Sequence, residues 1–172
     1  MPELGRMEPD EFKESPKAKV CLILDNIRSL HNVGSIFRSA DAFRLAHLYL
    51  GGYTGCPPNP EIRKTALGAT DSVEWTHIPD LLEFLPTLST QGWKIIALEQ
   101  TDQSIALPLF IPDPSISYAF VLGNEVEGVR DQVLAYCHGA IEIPQWGTKH
   151  SLNVAVAAGI LLYQVNSGVW KS

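Results

Sequence analysis

From residue 19 onward, compact apolar runs alternate with stretches whose apolar residues recur every three or four positions. "KVCLILD" (19–25) is a run of branched side chains, the pattern of a parallel strand covered on both faces. In "HNVGSIFRSADAF" (31–43), an advance of about 100° per residue gathers Val33, Ile36, Phe37, Ala40 and Phe43 on one side. That periodicity predicts an amphipathic helix, with Arg38 nearly opposite its apolar stripe and close to the small residues Gly34, Ser35 and Ala42. Further strands are predicted in "AHLYLGG", "SVEWTHI", "WKIIALEQ", "SYAFVLGNE" and "AIEIPQ". The helices between them are "PEIRKTALGA", begun by Pro60 and ended near Gly68, then "PDLLEFLPTLSTQG" and "RDQVLAYC". "SLNVAVAAGILLYQV" closes the series as a long helix. Strand and helix in alternation predict one α/β domain over residues 19–172, built on a mainly parallel, six-stranded sheet flanked by helices. Residues 1–18, bounded by Pro16, are expected to form a flexible or loosely docked N-terminal arm.

Composition narrows the class. A chain of 172 residues, 45% apolar and 19% charged, suits one globular domain with a real core. Its longest apolar runs are too short and broken to span a bilayer. The polar N-terminus lacks the apolar core of a signal peptide, so the expected location is the cytoplasm. Cys21, Cys56 and Cys137 stand far apart in no metal-ligand pattern, so neither a metal nor a disulfide framework is expected. The formal charge of −6 argues against a nucleic-acid partner if taken alone. However, Glu3, Glu8, Asp10, Glu11 and Glu14 concentrate acid in the first fourteen residues, which leaves room for a positive patch elsewhere.

Ligands of open α/β sheets gather beyond the carboxyl ends of the strands, and three unusual loops lie there. The first runs from Asp25 through Asn26, Arg28 and Ser29 to Asn32, whose side chain is placed to cap the following helix. Arg38 beyond it is either a solvated charge or the face of a site. The second, "VLGNEVEGV", leaves its strand through Gly123 and returns through Gly128. Gly123 permits close backbone approach or positive φ, and Glu125 is an acceptor for a hydroxyl or for Arg38. The third, "IEIPQWGTKHSLNVAVAAG", stops a strand at Pro144 and crosses Gly147, Lys149 and His150. It then enters a helix capped by Ser151, with Asn153 as an additional polar group. Ser151, Ala155 and Gly159 repeat every fourth residue and permit another element to approach.

In this order and spacing the three loops resemble the SpoU (TrmH-like) branch of the SPOUT RNA methyltransferases. "NVGSIFRSADAF", "FVLGNEVEGV" and "IEIPQWGTKHSLNVAVAAGILLY" look like its three motifs, with "KTALGA" between them. The resemblance implies a deep C-terminal trefoil knot, S-adenosyl-L-methionine held by the knot loops, a homodimer and 2′-O-methylation of tRNA or rRNA. It assigns cofactor contacts to Leu122, Gly123, Ile143, Pro144, Ser151 and Leu152, and catalytic or motif polar roles to Asn32, Arg38, Glu125, Ser151 and Asn153. Arg28, Arg63, Lys64, Lys149 and His150 join Arg38 as candidate RNA contacts. A ribose hydroxyl is a poor nucleophile, so positioning and proton removal decide its rate. Because a guanidinium keeps its proton, Arg38 is expected to hold the adjacent phosphate, with Glu125 and Asn32 fixing its geometry. The alternatives are a knotted RNA-binding or assembly module without turnover, and a methyltransferase acting on small molecules or protein.

Overall fold

The computed structural model describes residues 7–149 and 151–166. Its first half runs α1 (Pro9–Glu14), β1 (Ala18–Asp25), α2 (Leu30–Ala42), β2 (Leu45–Gly51), α3 (Pro60–Ala66), α4 (Ala69–Ser72) and β3 (Trp75–Ile78). The second half runs α5 (Leu81–Thr90), β4 (Trp93–Leu98), β5 (Ile105–Ala106), β6 (Ser117–Leu122), α6 (Asp131–Leu134), β7 (Gly139–Glu142) and α7 (Val154–Asn166). His150, a candidate RNA contact, lies outside the described residues.

The strands form one sheet in the order β3-β2-β1-β6-β4-β7-β5, with every pairing parallel. The sheet therefore has seven strands where the hydrophobic pattern predicts six. The additional strand, β5, is only two residues long and pairs Ile105 with Ile141 and Ala106 with Glu142 at the sheet edge. Two residues are too few to display a period of two, so no apolar pattern announces it.

Strand side chains alternate between two cores. Leu22, Leu24, Phe120 and Leu122 point to one face, where they meet Val33, Ile36 and Phe37 of α2, Ile62 of α3, and Ala158, Leu161 and Leu162 of α7. Cys21, Ile23, Ala119 and Val121 point to the other, against Leu81, Leu85 and Leu88 of α5 and Val133 of α6. The first face is tightly closed: a Cβ on Gly34 of α2 would stand 2.0 Å from Thr65 Oγ1 and 2.3 Å from the Ile62 carbonyl. Only glycine lets α2 and α3 approach so closely. Helix α7 also packs on α2, with Gly159 facing Ser39, as the small-residue spacing of α7 leads one to expect. Helix α1 is short and buries Phe12. Among the described residues no helix is long and apolar enough to cross a membrane.

Candidate functional site

The parallel ladder brings the carboxyl ends of β6, β4 and β7 side by side. Above them opens a cleft of about 420 Å³. Its walls come from residues 98–100 after β4, 122–128 after β6, 142–145 after β7, and the entry to α7. All six positions expected to hold the cofactor line it: Leu122, Gly123, Ile143, Pro144, Ser151 and Leu152.

The 123–130 loop that forms one wall is held rigidly for so short a segment. Asn124 and Gly128 exchange backbone hydrogen bonds of 3.0 and 2.9 Å. This fold-back explains Gly123, where a Cβ would lie 2.0 Å from the Gly128 carbonyl carbon. The close approach that glycine permits is thus to the loop's own return, and the φ of Gly123 is not positive. The buried Asn124 side chain donates to the Asn26 carbonyl and the Tyr53 hydroxyl, each at 2.8 Å, and accepts from Val126 N–H at 2.8 Å. Glu99 accepts from Val129 N–H at 2.9 Å. At the loop's end, Arg130 Nη2 reaches the fully buried Asp25 carboxylate at 2.8 Å, and its Nε donates to the same group at 2.9 Å.

Glu125 joins this wall to α2. Its carboxylate accepts from Arg28 N–H (3.1 Å), Ser29 N–H (3.2 Å) and Asn32 Nδ2 (3.0 Å). Asn32 Oδ1 in turn accepts from Asn153 Nδ2 at 3.0 Å. Three residues from three distant segments thereby form one polar chain, Asn153 to Asn32 to Glu125. Partial burial pushes the Glu125 carboxyl up, but the donors from Asn32 and the Arg28 and Ser29 backbone outweigh it and hold it below the usual carboxylate range.

Two capping expectations change. The N-cap of α2 is Ser29, whose hydroxyl accepts from Asn32 N–H at 3.2 Å, so the Asn32 side chain is free for Glu125. The cap of α7 is Asn153, whose Oδ1 accepts from Ala155 and Val156 N–H at 2.9 and 3.3 Å; the helix begins at Val154, beyond Ser151. The polar group that had no structural use on sequence grounds is the cap itself.

Arg38 stands apart from this chain. It is exposed, and among the described residues it makes no hydrogen bond or ion pair, so the expected contact with Glu125 is not made. Instead it lines a second, more open groove of about 550 Å³ with Ser35, Ser39, Lys64 and Thr65. Lys64 also pairs with Glu61 at 2.5 Å, and Arg63 and Lys149 are exposed. Arg28 Nε lies 3.5 Å from the Tyr53 hydroxyl.

The sequence reading missed Asn124, Glu99 and Glu142, all of which line the cleft. A signal was available for Glu99, the carboxylate that follows the apolar run of its strand, where such folds bind ligands; Glu142 lies within the "AIEIPQ" pattern, and only the structure ends β7 there. The lining suits a nucleoside bearing a charged tail. Leu98, Leu122, Ile143, Pro144 and Leu152 offer an apolar slot, and Glu99 and Glu142 offer acceptors for hydroxyls. Among the described residues no group of three or more His, Cys, Asp or Glu gathers to hold a metal.

Residues 19–163 match the model of the SpoU rRNA Methylase family. The chain is 31% identical over 153 residues to the 23S rRNA (guanosine-2′-O-)-methyltransferase RlmB of Neisseria meningitidis, covering 89% of this chain and 60% of that protein. It is 31% identical over 164 residues to the RlmB of Vibrio parahaemolyticus, covering 94% of this chain and 64% of that protein. The chain thus spans under two thirds of the length of these curated relatives. Among solved structures it superposes on the A. aeolicus TrmH/SpoU tRNA modifying enzyme with a TM-score of 0.80 at 26% identity, covering 91% of this chain and 78% of that one. The AdoMet-bound rRNA methyltransferase from Sinorhizobium meliloti shares the fold, with a TM-score of 0.84 at 23% identity, over 96% of this chain and 62% of that one.

Proposed function

Because the chain belongs to the SpoU rRNA methylase family, we propose that it transfers a methyl group from S-adenosyl-L-methionine to a ribose 2′-hydroxyl of tRNA or rRNA. The observation that carries this reading is the Asn153–Asn32–Glu125 chain set beside a cleft lined by all six expected cofactor positions. Relatives named as 2′-O-methyltransferases and a fold neighbour bound to AdoMet support it.

In this reading Leu122, Ile143, Pro144 and Leu152 would hold the adenine of the cofactor, and Glu99 and Glu142 would supply acceptors for its ribose hydroxyls. S-adenosylmethionine, when bound, supplies a methyl group on a positively charged sulfur. Glu125, ionised at neutral pH and already accepting three N–H donors, is a weak base. Its work is to lock the start of α2 against the cleft wall, with Asn153 and Asn32 fixing the distance between α7 and α2. Arg38 holds the phosphate beside the target ribose and orients the hydroxyl, a task suited to a planar fork of donors.

Arg38 opens on a groove separate from its own cleft, so the arrangement is completed in a homodimer that sets Arg38 of one protomer against the cleft of its partner. An apolar stripe on α7 supports this, since Val156, Ile160 and Tyr163 remain exposed at helical spacing. The knot belongs to the same proposal. The loops after β4, β6 and β7 and the entry to α7 gather around one cleft, an arrangement compatible with such a knot, which would be an exception to the general rarity of knots. An RNA substrate of this kind supports a cytoplasmic location.

The test is incubation of the purified chain with tritiated S-adenosylmethionine and total RNA, followed by nucleoside analysis. Label is expected in 2′-O-methylnucleosides with wild type and at background with Arg38→Ala. RNA binding with no methyl transfer would refute the enzyme in favour of a knotted binding module.

A further inference from the structure

Tyr53 lies on the loop after β2, beside the cleft but not in its wall. The residue is 56% exposed, yet its hydroxyl is tethered: Asn124 Nδ2 donates to it at 2.8 Å and Arg28 Nε lies 3.5 Å away. The backbone is fixed as well, because Tyr53 N–H donates to Asn26 Oδ1 at 3.0 Å. Asn26 takes up a left-handed conformation (φ 57°) in the same turn. An aromatic side chain that contributes so little to the core, and is nevertheless held at tip and backbone, has surrendered its rotamer freedom before any partner arrives. Trp146 is more exposed still, at 93%, but among the described residues it has no such tether.

The neighbours of Tyr53 define what the ring can meet. Arg28 brings a guanidinium to its edge, and Arg28 N–H is also a donor to Glu125. A fixed aromatic face next to a cation is the surface on which an unstacked nucleobase and its phosphate are held. Paired bases in an A-form helix present no free face for this purpose.

Building on the RNA-methylation reading, we propose that Tyr53 and Arg28 form a stacking platform for an unpaired base next to the methylated nucleotide. The platform restricts the substrate to a loop, bulge or single-stranded stretch. Asn124 sets the platform beside the cleft, because the one side chain bonds the Tyr53 hydroxyl and lines the cleft wall.

The test uses the full chain and fluorescence anisotropy with two probes, a short single-stranded RNA and the same sequence in a duplex, alongside calorimetric binding of S-adenosylmethionine. Tyr53→Ala is expected to weaken single-strand binding roughly tenfold, with duplex and cofactor affinities held within about twofold. Tyr53→Phe keeps the ring but loses the tether at its tip, and is expected to bind the single strand with an affinity between those of wild type and Tyr53→Ala. Unchanged single-strand binding in Tyr53→Ala, equal losses for both probes, or a parallel loss of cofactor affinity would each overturn the platform, as would a wild-type chain that binds neither RNA. Because these measurements need no turnover, a wild type without methyl transfer but with Tyr53-dependent binding would refute the enzymatic reading alone. A wild type that methylates RNA, with Tyr53→Ala unchanged in KM for RNA, would refute the platform alone.

Discussion

Asn153 performs two tasks with two ends of one amide, and they can be separated by substitution. Its Oδ1 caps α7 through Ala155 and Val156 N–H, and its Nδ2 donates to Asn32 Oδ1. Asn153→Ala removes both. Loss of an N-cap costs about 1 kcal/mol, within a range of roughly 0.5–2. For a domain of this size that lowers Tm by roughly 2–4 °C per kcal/mol. Asn153→Asp keeps an acceptor at the cap and adds negative charge at a helix N-terminus, which contributes about 0.3–1 kcal/mol in the stabilising direction. It also loses the donor to Asn32 and sets a carboxylate oxygen against Asn32 Oδ1. One net hydrogen bond is worth about 0.5–1.5 kcal/mol, so kcat/KM on RNA should fall at least roughly 2- to 12-fold. The charge gain offsets most of the lost hydrogen bond, so the aspartate variant should stay within about 4 °C of the wild-type Tm and lose activity, whereas the alanine variant should fall further in Tm and also lose activity. Differential scanning fluorimetry and a methyl-transfer assay read the two columns. An aspartate variant with wild-type kcat/KM would refute the link between α7 and Asn32, leaving Asn153 as a cap only.

The pH dependence of stability should carry a Glu125 signature. Folding lowers its pKa, so its contribution is complete above the unfolded value of about 4.3 and is lost as pH falls through the lower folded value. Denaturation midpoints of wild type and Glu125→Gln should converge in acid, and parallel lines from about pH 7 to about pH 3 would contradict the assignment. The Asp25–Arg130 pair should respond asymmetrically, because Asp25 is fully buried whereas the Arg130 side chain is a third exposed. Arg130→Ala strands a carboxylate away from water and should cost about 3–5 kcal/mol in urea unfolding, while Asp25→Asn leaves a guanidinium that can rehydrate and should cost less. The reverse order would show that the pair is not what holds the loop.

Much of the architecture is legible because burial imposes a period. The branched run at 19–25 is β1, the apolar stripe of residues 33–40 is buried against the sheet, and Arg38 points outward as its position on the helix requires. What fails is whatever depends on choice among equivalent local options. Ser29 and Asn32 are both competent caps for α2, and so are Ser151 and Asn153 for α7. The competition is settled by partners elsewhere, since Glu125 claims the Asn32 amide across 93 residues of chain and Asn32 meets Asn153 across 121. Glu125 was open to Arg38 on chemical grounds, but the loop delivers it to the Arg28 and Ser29 backbone instead. Asn124 lay within a motif read for its glycines and its glutamate, and its role is visible only once residues 26, 53 and 124 meet.

The hydrogen bond between Asn32 and Asn153 also bears on how the protein is made. Five strands, β1, β2, β3, β4 and β6, are complete by residue 122, and a growing chain can pair them while its last third is still being synthesised. The second wall of the cleft and the partner of Asn32 arrive only with residues 142–157. A nascent chain with most of its sheet in place has no complete cleft, so the arrival and docking of residues 142–157, rather than sheet formation, complete it.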